Sequence, residues 1–429
     1  MISRLVSRCR PGDRESGQAS MVTVAMFMML FAAIAVSFTF VVISASRQAL
    51  NDSLQSSAKI AAESGVEDAK RLIVYCYNKR SGGSYTTPDA QQLCPKVIGK
   101  LSTDLEGMGC DEILGLMHDN GTISSVEKED NGRGYRVKVG NNSGGKNENN
   151  EYYQCLKIAT KTDNYQGMVN NLGKSIIVPL RVVNTQNQAA VIASLEIEWH
   201  RNVTGNDGDD PAKMNGAMGT GLPPAGTWNS GNSNRPAVLR VERVGVVKGS
   251  FTLDSLAESD TALTLRPSVN GNGGGKDKNR YHLDDYKPYY QSGRDSIAPN
   301  NQYGGKAPIV EAKCDGADYA CKTIFEDSLD TTKTDYYLRI NAIYRSTHFK
   351  ITAYGQNGKK LYFDGVQPLV DVTGRSSDSF SRIQARLKPS FDKNADSTNW
   401  WPEYVIDTNG KVCKDIEVQY DTGEDRCQP

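Results

Sequence analysis

Apolar positions form one long uninterrupted stretch near the start of the chain. From Ala19 to Ala45 the 27 residues are apolar or small, and no charged residue lies between Glu15 and Arg47. A bilayer core requires about 20 helical residues, whereas the apolar region of a secretory signal peptide has roughly 7–15. The pattern therefore predicts a transmembrane helix at 18–45.

A second helical pattern follows directly, at 46–78. Apolar residues recur there every three to four positions, with charged residues between them. No proline interrupts this stretch, and Gly65 is its only glycine. We predict one rod of about 90 Å at 1.5 Å per residue, with an i,i+4 ion pair between Glu67 and Arg71 on its amphipathic stalk. Two helices separated at Gly65 are the alternative.

Beyond the stalk, the pattern changes to short elements and then to strands. Helices are predicted at Ala90–Leu101 and Asp111–His118, within a mixed connecting region at 79–134. The region 135–389 is rich in β-branched and aromatic runs separated by turn dipeptides such as Asn357-Gly358 and Asp364-Gly365. The predicted strands are Gly134–Gly140, Tyr152–Ala159, Ser175–Val183, Ala189–Trp199, Val238–Val247, Tyr336–Arg345 and Phe349–Tyr354.

These patterns indicate an α+β protein. A long N-terminal transmembrane and amphipathic helix precedes a mostly antiparallel β domain, which we expect to pack as one or two sheets against the stalk. Three Gly- and Asn-rich stretches predict long surface loops at 141–151, 202–235 and 267–321. Residues 390–429 form a C-terminal extension.

The cysteines predict a disulfide-braced domain. Cys9 precedes the apolar stretch and eight cysteines follow it, an even number typical of disulfides beyond a membrane crossing. Closeness in sequence favours Cys314–Cys321 and Cys413–Cys427. Cys76–Cys94 and Cys110–Cys155 are hypotheses, because eight cysteines permit 105 connectivities. Free thiols in a cytosolic protein are the alternative, but they leave the apolar stretch unexplained.

Charge argues against nucleic acid as a partner. The chain has 50 basic and 50 acidic residues, so it presents no strong overall positive field. Two basic groups have acidic residues interleaved, whereas phosphate tracking requires a net basic stripe. These groups are Lys276, Lys278 and Arg280, and Arg235, Arg240, Arg243 and Lys248.

Catalytic patterns are lacking in the sequence, so we expect no enzyme. The four histidines, His118, His200, His282 and His348, lie in no metalloprotease, hydrolase or kinase pattern, and no Cys/His cluster suggests zinc. Histidines scattered over strands and loops are most often structural. No cofactor is therefore expected.

Calcium is the metal for which the sequence offers candidates. Asp392, Asn394, Asp396 and Glu403 have oxygens at positions 1, 3, 5 and 12 of a loop, the spacing of an EF-hand. However, Ser397 replaces the glycine of the sharp turn, and no helices flank the loop. A second acidic loop spans 207–210. A solvated acidic turn is the usual meaning of both.

Aromatic residues in the predicted loops suggest a contact surface. Aromatic rings supply rigid contact area for protein or sugar partners, as in adhesion, although they equally pack a loop onto a sheet. The residues are Tyr281, Tyr286, Tyr289, Tyr290, Tyr303, Trp400 and Trp401.

Two short motifs lie at the start and in the second half of the predicted helix: Gly17-Gln18 before the apolar stretch, and Ala61-Ala62-Glu63-Ser64-Gly65 on the stalk. The first is similar to the class III signal sequence of type IV pilins and pseudopilins, and the second lies in a stretch that resembles PilX-like minor pilins. The segment Val366–Leu387 resembles the final strands of the same family.

The resemblance implies a route of assembly. A membrane prepilin peptidase would cut between Gly17 and Gln18, releasing the leader 1–17 with Cys9, and the helix would then pack with other pilin subunits through the inner-membrane assembly machinery. Two departures stand out: Gln18 replaces the usual phenylalanine, and Val22 replaces the usual glutamate at the fifth mature position. That glutamate neutralises the amine of the preceding subunit, so its absence suits a tip or initiating position.

We therefore expect a minor subunit of a type IV pilus or related filament. Arginines outnumber acids before the apolar stretch, which predicts a cytoplasmic N-terminus and an extracytoplasmic β domain, displayed at the cell surface after assembly. A host-cell or surface ligand is a further expected partner. The alternatives are a permanently anchored adhesin or receptor outside any filament and, less supported, an anchored extracytoplasmic enzyme.

Overall fold

The structure of the chain is a computed structural model. The residues that it describes are 16–81, 84–119, 126–128, 134–139, 151–170, 175–201, 236–248, 261–268, 280–283, 309–314 and 319–388.

One helix dominates the N-terminal part of the described chain. Helix α1 (Ser16–Asn78) is continuous over 63 residues, so the prediction of a single rod is confirmed and the alternative of two helices is wrong. The helix passes through Gly65 because one glycine costs a helix interior only about 1 kcal/mol relative to alanine.

Two short helices follow α1 near the predicted positions. Helix α2 (Pro88–Val97) begins two residues earlier than predicted because proline is tolerated in the first turn, where its missing N–H has no helical partner. It ends before Gly99, whose φ of 95° breaks the helical path. A 3₁₀ turn at Ser102–Asp104 then leads to helix α3 (Asp111–Asp119).

The rest of the described chain is strands with short connections. In chain order they are β1 (Arg80–Ser81), β2 (Ser84–Tyr85), β3 (Val126–Lys128), β4 (Tyr135–Lys138), β5 (Glu151–Thr162), β6 (Tyr165–Val169), β7 (Ile176–Pro179), β8 (Val182–Val183), β9 (Val191–Arg201), β10 (Val238–Val247), β11 (Thr261–Ser268), β12 (Arg280–Tyr281), β13 (Ile309–Cys314), β14 (Tyr319–Phe325), β15 (Leu329–Asp330), β16 (Thr334–Ile343), β17 (Thr347–Gly355), β18 (Tyr362–Ser376) and β19 (Ser379–Arg386).

The first large sheet, here called the stalk sheet, carries α1. Its strand order is β19-β18-β5-β4-β3, with β8 also paired to β18, and all its pairs are antiparallel. The second half of α1 packs across β18, β5 and β19. One buried cluster joins α1, α2, α3 and this sheet, and Ile73, Leu93 and Ile113 are among its fully buried members.

The second large sheet, here called the curled sheet, has a separate core. Its order is β6-β17-β9-β14-β13-β11-β10-β16-β7, with β12 on β14 and β15 on β9. It curls until β6, at one end, contacts β16 near the other end. Its core contains Trp199, Phe325 and Phe349 but no residue of α1, so the helix packs on one sheet rather than on both.

The two edge strands of the curled sheet, β6 and β7, differ in what their backbone groups pair with. At β6, the Gln166 N–H donates to Gln367 Oε1 (2.9 Å), and Gln367 Nε2 donates back to the Gln166 carbonyl (2.6 Å). The side chain of Gln367 thus takes the place of a neighbouring strand and protects this edge. At β7, the only strand paired among the described residues is β16.

Two local predictions are wrong. The predicted loop at 267–321 contains β13 and β14, which form a hairpin near Cys314 and Cys321. These strands are short, so their apolar positions are obscured by the Gly- and Asn-rich residues around them. Asp364-Gly365 is not a hairpin turn: it lies inside β18, at a bulge where the pairing with β5 shifts. Gly365 has a φ of 68°, which a bulge accommodates as readily as a turn.

Candidate assembly helix and its docking face

The first half of α1, here called the bare half, is apolar and exposed. Every residue from Met21 to Ser53 is exposed, including the large side chains of Phe27, Phe31 and Phe40. Among the described residues, α1 is the one helix long and apolar enough to cross a membrane. Exposed apolar area of this extent in a soluble protein would drive association, so this half of the helix requires lipid or protein around it.

The predicted processing residues lie at the start of this half. Gly17 and Gln18 fall in the first turn of α1, which begins at Ser16, and Val22 is exposed one turn later. The helix is therefore continuous across the Gly17–Gln18 bond. Most of the predicted leader lies outside the described residues.

The second half of α1 docks through small side chains. Ala58, Ala61, Ala62 and Ala69 are fully buried at helical spacing, and Gly65 lies between them on the same face. A Cβ built on Gly65 would lie 2.6 Å from Val372 Cγ1 and 2.9 Å from the ring of Tyr153. Small residues therefore let the helix axis approach the sheet more closely than larger side chains would permit.

The closest approach is between the backbones of α1 and β18. A Cβ added at Gly374 would overlap the carbonyl oxygen of Ala58 and the amide nitrogen of Ala62. Neither atom belongs to a side chain that can rotate away. The position of the helix on the sheet thus depends on Gly374 having no side chain.

Two polar contacts fix the helix along its length. The Tyr153 hydroxyl donates to Asp68 Oδ2 (2.9 Å), and burial, followed by the nearby Asp68 charge, raises the pKa of Tyr153 well above its usual value. At the end of α1, the Tyr77 hydroxyl donates to Asp364 Oδ1 (2.9 Å). Arg181 Nε donates to the Asp364 carbonyl (2.8 Å), so the bulge of β18 receives both contacts.

The predicted ion pair of the stalk is replaced by two others. Glu67 pairs with Lys70 (3.8 Å) and Arg71 pairs with Asp68 (3.6 Å), both at i,i+3 spacing. The i,i+4 pair of Glu67 with Arg71 is therefore wrong. Asp68 accepts from Tyr153 through Oδ2, and its other carboxylate oxygen, Oδ1, is the one that lies near Arg71.

Disulfides tie the docked region together. Cys76 of α1 is bonded to Cys94 of α2, Cys110 is bonded to Cys155 of β5, and Cys314 is bonded to Cys321 across the β13–β14 hairpin. These are the pairs predicted for this part of the chain. Cys9, Cys413 and Cys427 lie outside the described residues.

The metal and histidine candidates divide into described and undescribed residues. Asp392, Asn394, Asp396, Glu403 and the acidic loop at 207–210 lie outside the described part of the chain. Within it, no group of three or more His, Cys, Asp or Glu side chains is placed to hold a metal ion. His118 lies at the surface beside Asp119 (3.1 Å), and His200 is fully buried.

The tyrosine and basic groups are only partly described. Of the aromatic residues named for adhesion, Tyr281 is described; it packs against the core of the curled sheet, and its hydroxyl donates to the Glu311 carbonyl. Each described member of the two basic groups has an ion pair with a carboxylate: Arg240 with Glu242, Arg243 with Asp327, Lys248 with Asp335 and Arg280 with Glu326.

Buried His200 makes stability depend on pH. Burial, and secondarily the charge of Arg345, lowers the pKa of His200 from 6.5 to about 4. As the pH falls below 6.5, His200 becomes protonated in the unfolded chain but stays neutral in the folded chain. The free energy of unfolding therefore decreases by about 2–3 kcal/mol between pH 7 and pH 4.5. Above pH 6.5 this loss is absent.

Urea unfolding of the full chain in detergent at several pH values checks this prediction. We expect H200N to remove this part of the acid dependence, and asparagine tolerates the φ of 65° at this position. H118N, a surface change of the same type, should keep the wild-type profile. Identical profiles for H200N and the wild type would contradict the prediction.

Sequence reasoning missed the residues that position the helix, namely Gly374, Gly365, Asp364 and Arg181. A signal for Gly374 was present, since an isolated glycine inside a strand pattern indicates a bulge or a close backbone approach. Nothing in the sequence indicated that Arg181 lies near Asp364, 183 positions away.

No protein-family model, curated protein or solved structure matches this chain.

Proposed function

We propose that this chain is a minor subunit of a type IV pilus or a related filament, a structural and interaction protein rather than an enzyme. The observation that carries the proposal is the division of α1 into a bare apolar half and a half docked on an antiparallel sheet. Such a helix is held firmly at one end and offers its other end to lipid or to neighbouring helices.

The division supports assembly through the helix. In the membrane, the 21–45 part of α1 is surrounded by lipid; in a filament, the same apolar surface packs against the helices of other pilin subunits. The docked half keeps the angle between helix and β domain constant during that transfer. The prepilin peptidase and the inner-membrane assembly machinery are the partners that this route requires.

The residues near the start of α1 support a rare position in the filament. Val22 has no carboxylate with which to neutralise the amine of a preceding subunit. A subunit at the tip or at the start of assembly has no subunit ahead of it and needs no such acid. The β domain would then be displayed at the end of the filament, where contact with a surface ligand is made.

A permanently anchored surface adhesin or receptor is the second candidate. It is favoured by the same apolar half of α1, which is long enough to hold a protein in a bilayer without any filament. The two functions differ in whether the leader is removed.

Mass spectrometry of the mature N-terminus tests the proposal. In cells that carry a type IV pilus system, we expect the chain to begin at a methylated Gln18 and to appear in the sheared filament fraction. Gly17→Val should block cleavage and remove the chain from that fraction, whereas the control Ser20→Ala should be processed normally. A wild-type chain that keeps residues 1–17 would overturn the filament proposal and leave the anchor.

A further inference from the structure

A cavity of about 480 Å³ lies where β1, the stalk sheet and the β7 edge of the curled sheet meet. Residues of β1, β6, β7, β8, β16 and β18 line it. Its volume falls within the roughly 300–1,000 Å³ of small-molecule sites, which occur preferentially where structural units meet.

The walls of this cavity combine apolar and aromatic side chains with polar and charged ones. Ile176, Ile177 and Val366 are apolar members of the lining, and Tyr165 and Tyr336 add aromatic rings. This mixed lining favours a ligand that carries both an apolar ring and a polar group, because ring stacking and area burial both contribute to binding.

The charges around the cavity favour an anion. Four cations line it, Arg80, Arg181, Lys248 and Lys388, against two carboxylates, Asp335 and Asp364. Asp335 pairs with Lys248 (3.5 Å), and Asp364 accepts from Tyr77 (2.9 Å). Two of the other cations also have contacts in the protein: Arg181 donates to the Asp364 carbonyl and Lys388 lies over the Tyr165 ring. The four positive charges nevertheless outnumber the two negative ones. The lining therefore carries a positive excess that a ligand carboxylate would balance.

A buried lysine, Lys161, lies outside the residues that line the cavity. It is 2% exposed, and its Nζ has no hydrogen-bond partner among the described residues. It lies opposite Asp364 in the β5–β18 pairing; burial lowers the pKa of its amine, and the Asp364 charge acts in the opposite direction. A bound anion nearby would favour the charged form of this amine.

The edge of β7 supplies polar backbone groups to the cavity. Leu180 N donates to the Tyr336 carbonyl (2.8 Å), and bonded residues alternate along an antiparallel pair. Val178 therefore faces β16, whereas Ile177 and Pro179, both in the cavity lining, direct their backbone groups away from β16. Pro179, which has no N–H, fits such an outward position.

We propose that this cavity binds a small organic anion in which a carboxylate is carried on an apolar ring. The carboxylate lies toward Arg80 and Arg181, the ring lies between Ile176 and Tyr336, and the outward backbone of Ile177 orients polar substituents. The proposal is independent of filament assembly, because no residue of the bare half of α1 lines the cavity.

Fluorine NMR of 4-fluorobenzoate with the full chain in non-ionic detergent tests the site. We expect the protein to broaden the 4-fluorobenzoate signal, and the neutral isostere 4-fluorobenzamide to bind at least tenfold more weakly. Ala189→Trp, at an exposed position of the cavity lining, should abolish the broadening by filling the mouth.

Charge variants separate this site from binding to the micelle or to charge in general. Arg80→Gln should weaken binding about fivefold, as expected for one charge at close range. Lys59→Gln, which removes one exposed charge on α1, should leave binding unchanged. Absence of broadening at millimolar probe, equal binding of the two probes, or broadening that A189W leaves intact would each overturn the proposal, provided that A189W melts like the wild type.

Discussion

Replacing Gly374 with alanine is expected to lower the free energy of unfolding by about 3 kcal/mol, at the upper end of the usual cost of overpacking a core. The added methyl group would overlap the Ala58 carbonyl oxygen and the Ala62 amide nitrogen of α1. Both atoms belong to the backbone of a continuous helix, so the protein has to move the helix rather than rotate a side chain.

Two comparisons make this expectation specific. Gly65→Ala should cost less, because its new Cβ meets the side chains of Val372 and Tyr153, which can shift. Gly109→Ala should be close to neutral, since no atom lies within 4 Å of the new Cβ and its φ lies outside the left-handed region. Truncating Ala62 to glycine in the G374A background should restore none of the lost stability, because the added methyl group overlaps the backbone of α1 and not the Ala62 side chain.

Thermal unfolding of the full chain in detergent measures the effect. A loss of this size corresponds to a decrease of roughly 5–10 °C in the midpoint for a domain of this size. Hydrogen exchange of the amides in 54–78 should also become faster in G374A, because the helix is loosened where it docks. Equal midpoints for G374A and G109A would mean that α1 does not dock as described.

Removing the Cys110–Cys155 disulfide is expected to produce the second large effect, a loss of about 4 kcal/mol. The bond joins residues 45 positions apart, and a crosslink stabilises a fold mainly by restricting the unfolded chain, more so for longer loops. It also connects the start of α3 to β5, one of the three strands that pack against α1.

The other two disulfides provide an internal comparison. The same relation gives about 3 kcal/mol for Cys76–Cys94 and about 2.5 kcal/mol for Cys314–Cys321, whose separations are 18 and 7. Urea midpoints of the three double alanine variants should therefore fall in the order of loop length. A C314A/C321A variant less stable than C110A/C155A would show that local packing, not loop closure, controls these bonds.

The helix and seven strands of the β domain were within reach of sequence reasoning, whereas β13 and β14 were not. The length of the uncharged apolar run and the three-to-four spacing of the apolar residues after it identify α1, because few other structures have this pattern. The strand Val238–Val247 was predicted with the bounds that the structure shows, since it is rich in β-branched residues and Pro236 and Gly249 lie just outside it. The pairing of Cys314 with Cys321 followed from closeness along the chain.

What the sequence by itself determined is therefore the three helices, seven of the strands and the two contrasting halves of α1. Which sheet the helix docks on, and how closely, was decided only by tertiary structure. Gly374 lies over 300 residues from Ala58 in the sequence, yet their backbones approach so closely that a single methyl group does not fit. The cavity likewise exists only because β7, β8, β16 and β18 converge from distant parts of the chain. Local periodicity records which face of an element is apolar, but it carries no information about the partner that covers that face.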